Sequence, residues 1–366
     1  MDNVAPRPRS NASTAVQARR SAEVVDPWLV QADFYHGYLP REDIVYLLKR
    51  HGDFIVRTSE VETDMEARKK ETVVSVLMDP EGKFDEMPSG EGRQCMVRNV
   101  ILFHKNLRFY FEHTVTFEFL RDLFHYYSSH AVRINNADIV LKRGVGLAKW
   151  ELQHKHVTTG KLLGQGAFGE VRKGTLLRSS GRSVPVAVKT LRLEQEISKA
   201  KIKEMMQEAR LMRELKHPNV VRMYGVALLE LPLYIVLEYV AGGALDSYLR
   251  KNKNVDRDER LLMTMEAAWG MEYLHKCNIL HRDIAARNCL YDTDKVVKIS
   301  DFGLSRQGVV DWLEKYTGLA LDFVEQKSMA QGVSQAKSRK SCTTRSRTYS
   351  AEVSQALPKP RRRGQK

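Results

Sequence analysis

His281-Arg282-Asp283-Ile284-Ala285-Ala286-Arg287-Asn288 packs an imidazole, two guanidiniums, a carboxylate and a carboxamide into eight residues, and Asp301-Phe302-Gly303 follows thirteen positions after Asn288. Asn288 and Asp301 are hard oxygen ligands on neighbouring loops. Such a pair suits Mg²⁺, which keeps waters and takes its remaining ligands from phosphate oxygens. Upstream, Gly164-Gln165-Gly166-Ala167-Phe168-Gly169-Glu170-Val171 is a GxGxxGxV loop. Glycines there let backbone N–H groups approach phosphate oxygens with no Cβ in the way. Alone it is a weak signal, because dinucleotide folds share the spacing. Val186-Ala187-Val188-Lys189 follows as an apolar strand that ends in an ammonium. A helix is predicted over 198–215, where Ile202, Met205, Ala209 and Met212 recur at helical spacing and carry Glu208 with them. By itself Glu208 reads as a solvated helix charge. Four motifs in this order and spacing take the set beyond chance.

Residues 155–306 resemble the small lobe and the first part of the large lobe of a protein kinase. The resemblance implies ATP and Mg²⁺ as cofactors and assigns roles. Asp283 is the base that takes the substrate hydroxyl proton, and Asn288 and Asp301 hold the metal. Lys189, held by Glu208, faces the α- and β-phosphates under Gly164, Gly166 and Gly169. Glu238-Tyr239-Val240 is the hinge, with Leu237 behind the adenine and Leu163, Val171, Ala187 and Leu290 around it. Each apolar member also reads as plain core. Ala285-Ala286-Arg287 resembles the tyrosine-specific form. Serine/threonine kinases place a Lys where Ala285 stands, and Arg287 suits the longer reach of a phenol. The catalytic set implied is Asp283, Arg287, Lys189 and Glu208, with protein tyrosines as substrates.

The first third of the chain reads as a second module. A helix is predicted over 42–49, strands over 52–59 and 72–78, and an amphipathic helix over 116–130 with Phe117, Leu120, Phe124 and Tyr127 in one stripe. Arg57 stands mid-strand behind Phe54, Ile55 and Val56. This pattern resembles a Src-homology-2 (SH2) domain: a central antiparallel sheet flanked by two helices. In that family the strand Arg forks onto a phosphotyrosine. The resemblance makes Arg57 the fork and Arg41 and Ser59 further phosphate contacts, with 58–63 as the surrounding loop. Two positions depart from the family: Gln94 stands for the His that faces the ring on the fourth strand, and Phe34 stands for the opening Trp. The order of the two modules, Trp150-Glu151-Leu152 ahead of the second, and Tyr234-Ile235-Val236 before the hinge resemble the non-receptor Fes/Fer tyrosine kinases over about 28–306.

The predicted class is therefore α+β. Residues 1–27 form a disordered tail, 28–142 the SH2 domain, 143–156 a linker, 157–306 a kinase fold with a complete small lobe and an incomplete large lobe, and 307–366 a basic, mostly disordered tail. The hydrophobic fraction of 43% in 366 residues is enough for two cores. The polar start without an apolar h-region, and the lack of an eighteen-residue apolar run, predict a cytoplasmic protein with reduced thiols. From Gln307 onward the chain holds twelve Lys/Arg against five Asp/Glu, half of the net +14. Pro360-Arg361-Arg362-Arg363 reads first as a solvated tail and second as a weak contact for acidic membrane; no specific nucleic acid is expected. No A-P-E motif follows Gly303, so the helices predicted over 245–250 and 260–276 keep apolar faces with little to cover them. Three readings stay open: a tyrosine kinase recruited through phosphotyrosine-containing proteins, a phosphotyrosine-binding adaptor with a crippled kinase remnant, and a basic-tail interaction protein.

Overall fold

Asp26 caps helix α1 (Pro27–Gln31), its carboxylate accepting from the N–H groups of Trp28 and Leu29. From there the computed structural model describes residues 25–62, 68–87, 91–134, 137–166, 169–191 and 198–308. Both expected tails lie almost wholly outside the described residues.

The N-terminal module is built on a sheet of order β4-β3-β2-β1-β7, comprising β1 (Asp53–Glu62), β2 (Arg68–Leu77), β3 (Val97–Lys105), β4 (Arg108–Tyr110) and β7 (Arg143–Gly144). Only the β1–β7 pair is parallel. Along β1 the side chains alternate. Phe54 and Val56 join the core under helix α4 (Leu120–Tyr127), which contributes Leu120, Leu123, Phe124 and Tyr127. Ile55 joins the core on the other face, with Leu39, Ile44 and Leu48 around the short helix α2 (Arg41–Ile44). Trp28, Phe34, Phe54 and Phe124 form an aromatic knot with centroids 5.1–6.1 Å apart.

Four sequence expectations are corrected here. The helix predicted over 42–49 stops at Ile44, because Tyr46 and Leu47 bond back three residues rather than four. The helix predicted over 116–130 begins at Leu120, because Phe117 pairs with Phe109 as an isolated bridge. Strand β1 continues to Glu62, paired with Arg68, so most of the expected 58–63 loop is ladder. Gln94 lies on helix α3 (Glu91–Cys95), not on a strand, and Asn99 on β3 faces Arg57 instead.

The second module opens with an antiparallel sheet of order β11-β12-β10-β9-β8, comprising β8 (Val157–Gly166), β9 (Gly169–Leu177), β10 (Ser183–Leu191), β11 (Met223–Ala227) and β12 (Tyr234–Glu238). Helix α5 (Lys199–Arg213), capped by Ser198, buries Ile202, Met205, Met206, Ala209 and Met212 against it. Helices α6 (Leu245–Lys251) and α7 (Arg257–Lys276) follow, then the hairpin of β14 (Cys289–Tyr291) and β15 (Val297–Ile299). The expectation of uncovered faces on both helices holds only in part: α7 leaves Leu261 and Leu262 exposed at 59% and 43% but buries Met263 and Leu274, and α6 buries Leu245 in a small core with Met263, Cys289, Tyr291 and Val297.

The two modules meet along α2 and α5. One continuous core runs from Leu39, Ile44 and Leu48 to Ile202, Met205 and Leu228. Glu42 pairs with Lys203 at 2.8 Å, and His36 bridges Glu151 Oε1 at 2.7 Å and the Val145 carbonyl at 2.9 Å. The Arg213 guanidinium lies over the rings of both Tyr46 and Trp150.

Candidate active site and phosphate pocket

Register within the second sheet places the cleft. Lys189 on β10 sits opposite Val171 on β9 and Ile235 on β12. Its Nζ donates to both Glu208 oxygens at 2.8 Å and lies 3.7 Å from Asp301 Oδ1. Glu208 is 7% exposed, so this helix charge is committed to the lysine and the solvated reading fails. Val171, Ala187 and Leu290 are half-buried and Leu163 is 44% exposed, which leaves apolar surface along the cleft. The carboxylate of Glu238 is taken by Lys298 Nζ at 3.0 Å and by the Arg222 N–H at 3.2 Å, and its own N–H donates to the Arg222 carbonyl at 2.8 Å, which leaves its carbonyl as the group to offer there. Val240 is buried beside it. A Cβ at Gly164 would meet nothing within 4 Å, whereas Gly169 has φ +147°, a backbone that favours glycine. Ala167 and Phe168 fall outside the described residues.

The opposite wall is set by hydrogen bonds. Asn288 Nδ2 donates to the Asp283 carbonyl and to Asp283 Oδ2, both at 2.8 Å. Its amide nitrogen is thereby spent and its Oδ1 remains as an acceptor. The Asn288 carbonyl accepts from the N–H and Oγ of Ser300 at 2.8 and 2.9 Å, which ties it to the residue before Asp301. Arg287 donates to Asp283, and with Asn288 it holds the Asp283 carboxyl below the usual carboxylate range. His281 donates Nε2–H to the Ser300 carbonyl at 2.9 Å, and its ring meets fully buried Phe302 edge-on at 5.1 Å. Burial pushes His281 down, so the ring serves as a neutral strut. Among the described residues no cluster of three or more His, Cys, Asp or Glu would hold a metal alone. Asn288 and Asp301 supply two oxygens, and Lys189 stands beside Asp301. That donor set fits Mg²⁺ carried in on a nucleotide.

With this geometry in place, the comparisons decide the lineage. A profile for protein tyrosine and serine/threonine kinases matches residues 157–343. Tyrosine-protein kinase Fer of Rattus norvegicus is 37% identical over 304 residues, 82% of this chain and 33% of that protein. Fer-related kinase 1 of Caenorhabditis elegans is 38% identical over 289 residues, 79% of this chain and 68% of that protein. The chain belongs to the Fes/Fer type of tyrosine kinases. The transforming protein Fps of Fujinami sarcoma virus is 40% identical over 289 residues, 78% of this chain and 30% of that protein. This family member thus spans about a third of the length of the Fer and Fps proteins it matches. The profile also runs past Arg306, where the recognisable motifs end, into residues outside the described set.

In the N-terminal module Arg57 is only 7% exposed. It donates from Nε to Ser75 Oγ and from Nη2 to Asn99 Oδ1, both at 3.1 Å, and to no carboxylate among the described residues. Burial, then the nearby Arg41 charge, push its guanidinium down to about 10. A buried cation beside a second cation is short of an anion. Ser59 lies two residues along the same strand face. Sequence reasoning missed Ser75 and Asn99, because which residues oppose Arg57 depends on strand register. A signal for Asn99 existed in the lone carboxamide of the strand Val97-Arg98-Asn99-Val100-Ile101-Leu102.

Proposed function

We propose that the chain is a non-receptor protein-tyrosine kinase in which an SH2-type module binds phosphotyrosine and the second module transfers the ATP γ-phosphate to protein tyrosines. The observation that carries the reading is the Asp283–Arg287–Asn288 cluster opposite the Lys189–Glu208 pair. Bound Mg-ATP supplies the phosphoryl group and neutralises its charge. The chain's own residues then position and move protons. Lys189 orients the α- and β-phosphates, fixed by Glu208. Asn288 and Asp301 would hold the metal through oxygen. Asp283, kept ionised by Arg287 and Asn288, accepts the phenolic proton as the tyrosine oxygen bonds to phosphorus and the bond to the β-phosphate oxygen breaks, leaving ADP. Arg287 steadies the carboxylate toward the phenol. The same reading makes Arg57, with Arg41 and Ser59, the phosphotyrosine site. The basic stretch 359–366 would add weak contact with acidic membrane, and the protein would work in the cytoplasm. Among the described residues no helix is long and apolar enough to cross a membrane.

The test is phosphate incorporation into a poly-Glu/Tyr substrate by the purified chain. Incorporation is expected, with a loss of about a hundredfold or more in Asp283→Asn. A folded chain that binds a phosphotyrosine peptide yet incorporates nothing would replace this reading with the adaptor.

A further inference from the structure

A guanidinium has five N–H donors and no acceptor. That fixes the orientation of Asn99: the atom facing Arg57 Nη2 at 3.1 Å is its carboxamide oxygen. Ser75 Oγ donates to the same oxygen at 2.7 Å while accepting from Arg57 Nε. The chain of bonds runs Arg57 to Ser75 to Asn99, and both lone pairs of the Asn99 oxygen are filled. Its nitrogen therefore turns the other way, and among the described residues it finds no acceptor. Sheet register makes this arrangement rigid. Arg57 sits opposite Val73 on β2, Ser75 opposite Asn99 on β3, so the three polar side chains emerge on one sheet face. Asn99 is exposed where Arg57 is buried. The carboxamide thus stands exposed beside a buried guanidinium, and among the described residues neither its two N–H donors nor the remaining N–H groups of Arg57 have a partner.

We propose that Asn99 is a phosphoryl ligand, its Nδ2 donating to the phosphate that Arg57 grips, so that an uncharged carboxamide reads the rim of this pocket. The inference rests on the phosphotyrosine reading of the module. A carboxamide does not titrate, so the rim contact keeps its strength as pH falls and only the phosphate's own ionisation changes binding.

The test uses the full chain labelled with ¹⁵N-asparagine and titrated with phenyl phosphate and with a tyrosine-phosphorylated peptide. The Asn99 NH₂ signals, assigned by their loss in Asn99→Asp, are expected to shift downfield as the site fills. Asn99→Asp keeps an acceptor for Arg57 and Ser75 but replaces the donor with an anion. It should bind the phosphopeptide about tenfold or more weaker. Side-chain signals that stay still at saturation, or wild-type affinity in Asn99→Asp, overturn the inference and make Asn99 a holder of Arg57 only. If Arg57→Lys still abolishes binding in that case, the phosphotyrosine reading stands. If Arg57→Lys also binds normally, both fall together.

Discussion

Asp43 is the residue whose surroundings least suit its charge. It is fully buried on α2, neither carboxylate oxygen has a hydrogen bond among the described residues, and Arg210 Nη1 is 3.7 Å away. Burial raises its pKa from 3.8 to about 6, against the opposing pull of Arg210 and Arg213 and with Glu42 and Glu151 adding to the rise. The folded chain therefore holds a proton that the unfolded chain has already released. Stability falls as pH rises through the window from about 4 to 6 and is level above it. Asp43→Asn removes the burdened charge. The variant should gain on the order of 2–3 kcal/mol over wild type at pH 7 and little at pH 4. Urea unfolding of both proteins at the two pH values checks this, and an equal difference at both would contradict it.

At the scale of elements, the β3–β4 turn is under strain. Asn106 and Leu107 take φ of +53° and +60°, a pair suited to Asn-Gly, yet Leu107 carries a side chain that is 80% exposed. Leu107→Gly should raise stability by about 1 kcal/mol, read from the denaturation midpoint at unchanged slope. A neutral or negative effect would mean that the leucine side chain makes up for the strain. Elements also show what the sequence could disclose. Helix α5 was legible because its apolar residues recur every three to four positions and Glu208 rides on the same segment. The cleft residues were legible because each sits within a few residues of a fixed motif. The short reach of α2, the late start of α4 and the true partner of Arg57 were not. Each depends on a bond that apolar periodicity does not carry, such as the three-residue turn bonds that end α2, Phe117 with Phe109 eight residues back, or Arg57 with Asn99 across the sheet. Of the two helix faces expected to lie open, only the Leu261–Leu262 edge of α7 does; Leu245 of α6 is covered by the β14–β15 hairpin, which helix pattern alone does not show.

For the whole molecule the decisive contact is backbone on backbone. Gly37 has φ +58°, and a Cβ there would come within 2.1 Å of the Leu228 carbonyl oxygen. The next N–H, of Tyr38, donates to that same oxygen at 3.0 Å. No rotamer can relieve such a clash. Gly37→Ala should cost on the order of 2 kcal/mol or more and split one unfolding transition into two in calorimetry. A single transition at the wild-type midpoint would show that the seam adjusts freely.

The core that passes from Leu39 and Ile44 into Met205 and Leu228 also bears on how this protein can be cut and recombined. The joint between modules is usually where chains are divided for transplantation. Here a cut between β7 and β8 would sever few covalent links yet strip cover from apolar side chains on both halves. The part that can be moved intact is the pair, with Gly37 and the Leu228 loop kept as matching faces. Chimaeras that exchange either half should therefore borrow both sides of the seam from one parent.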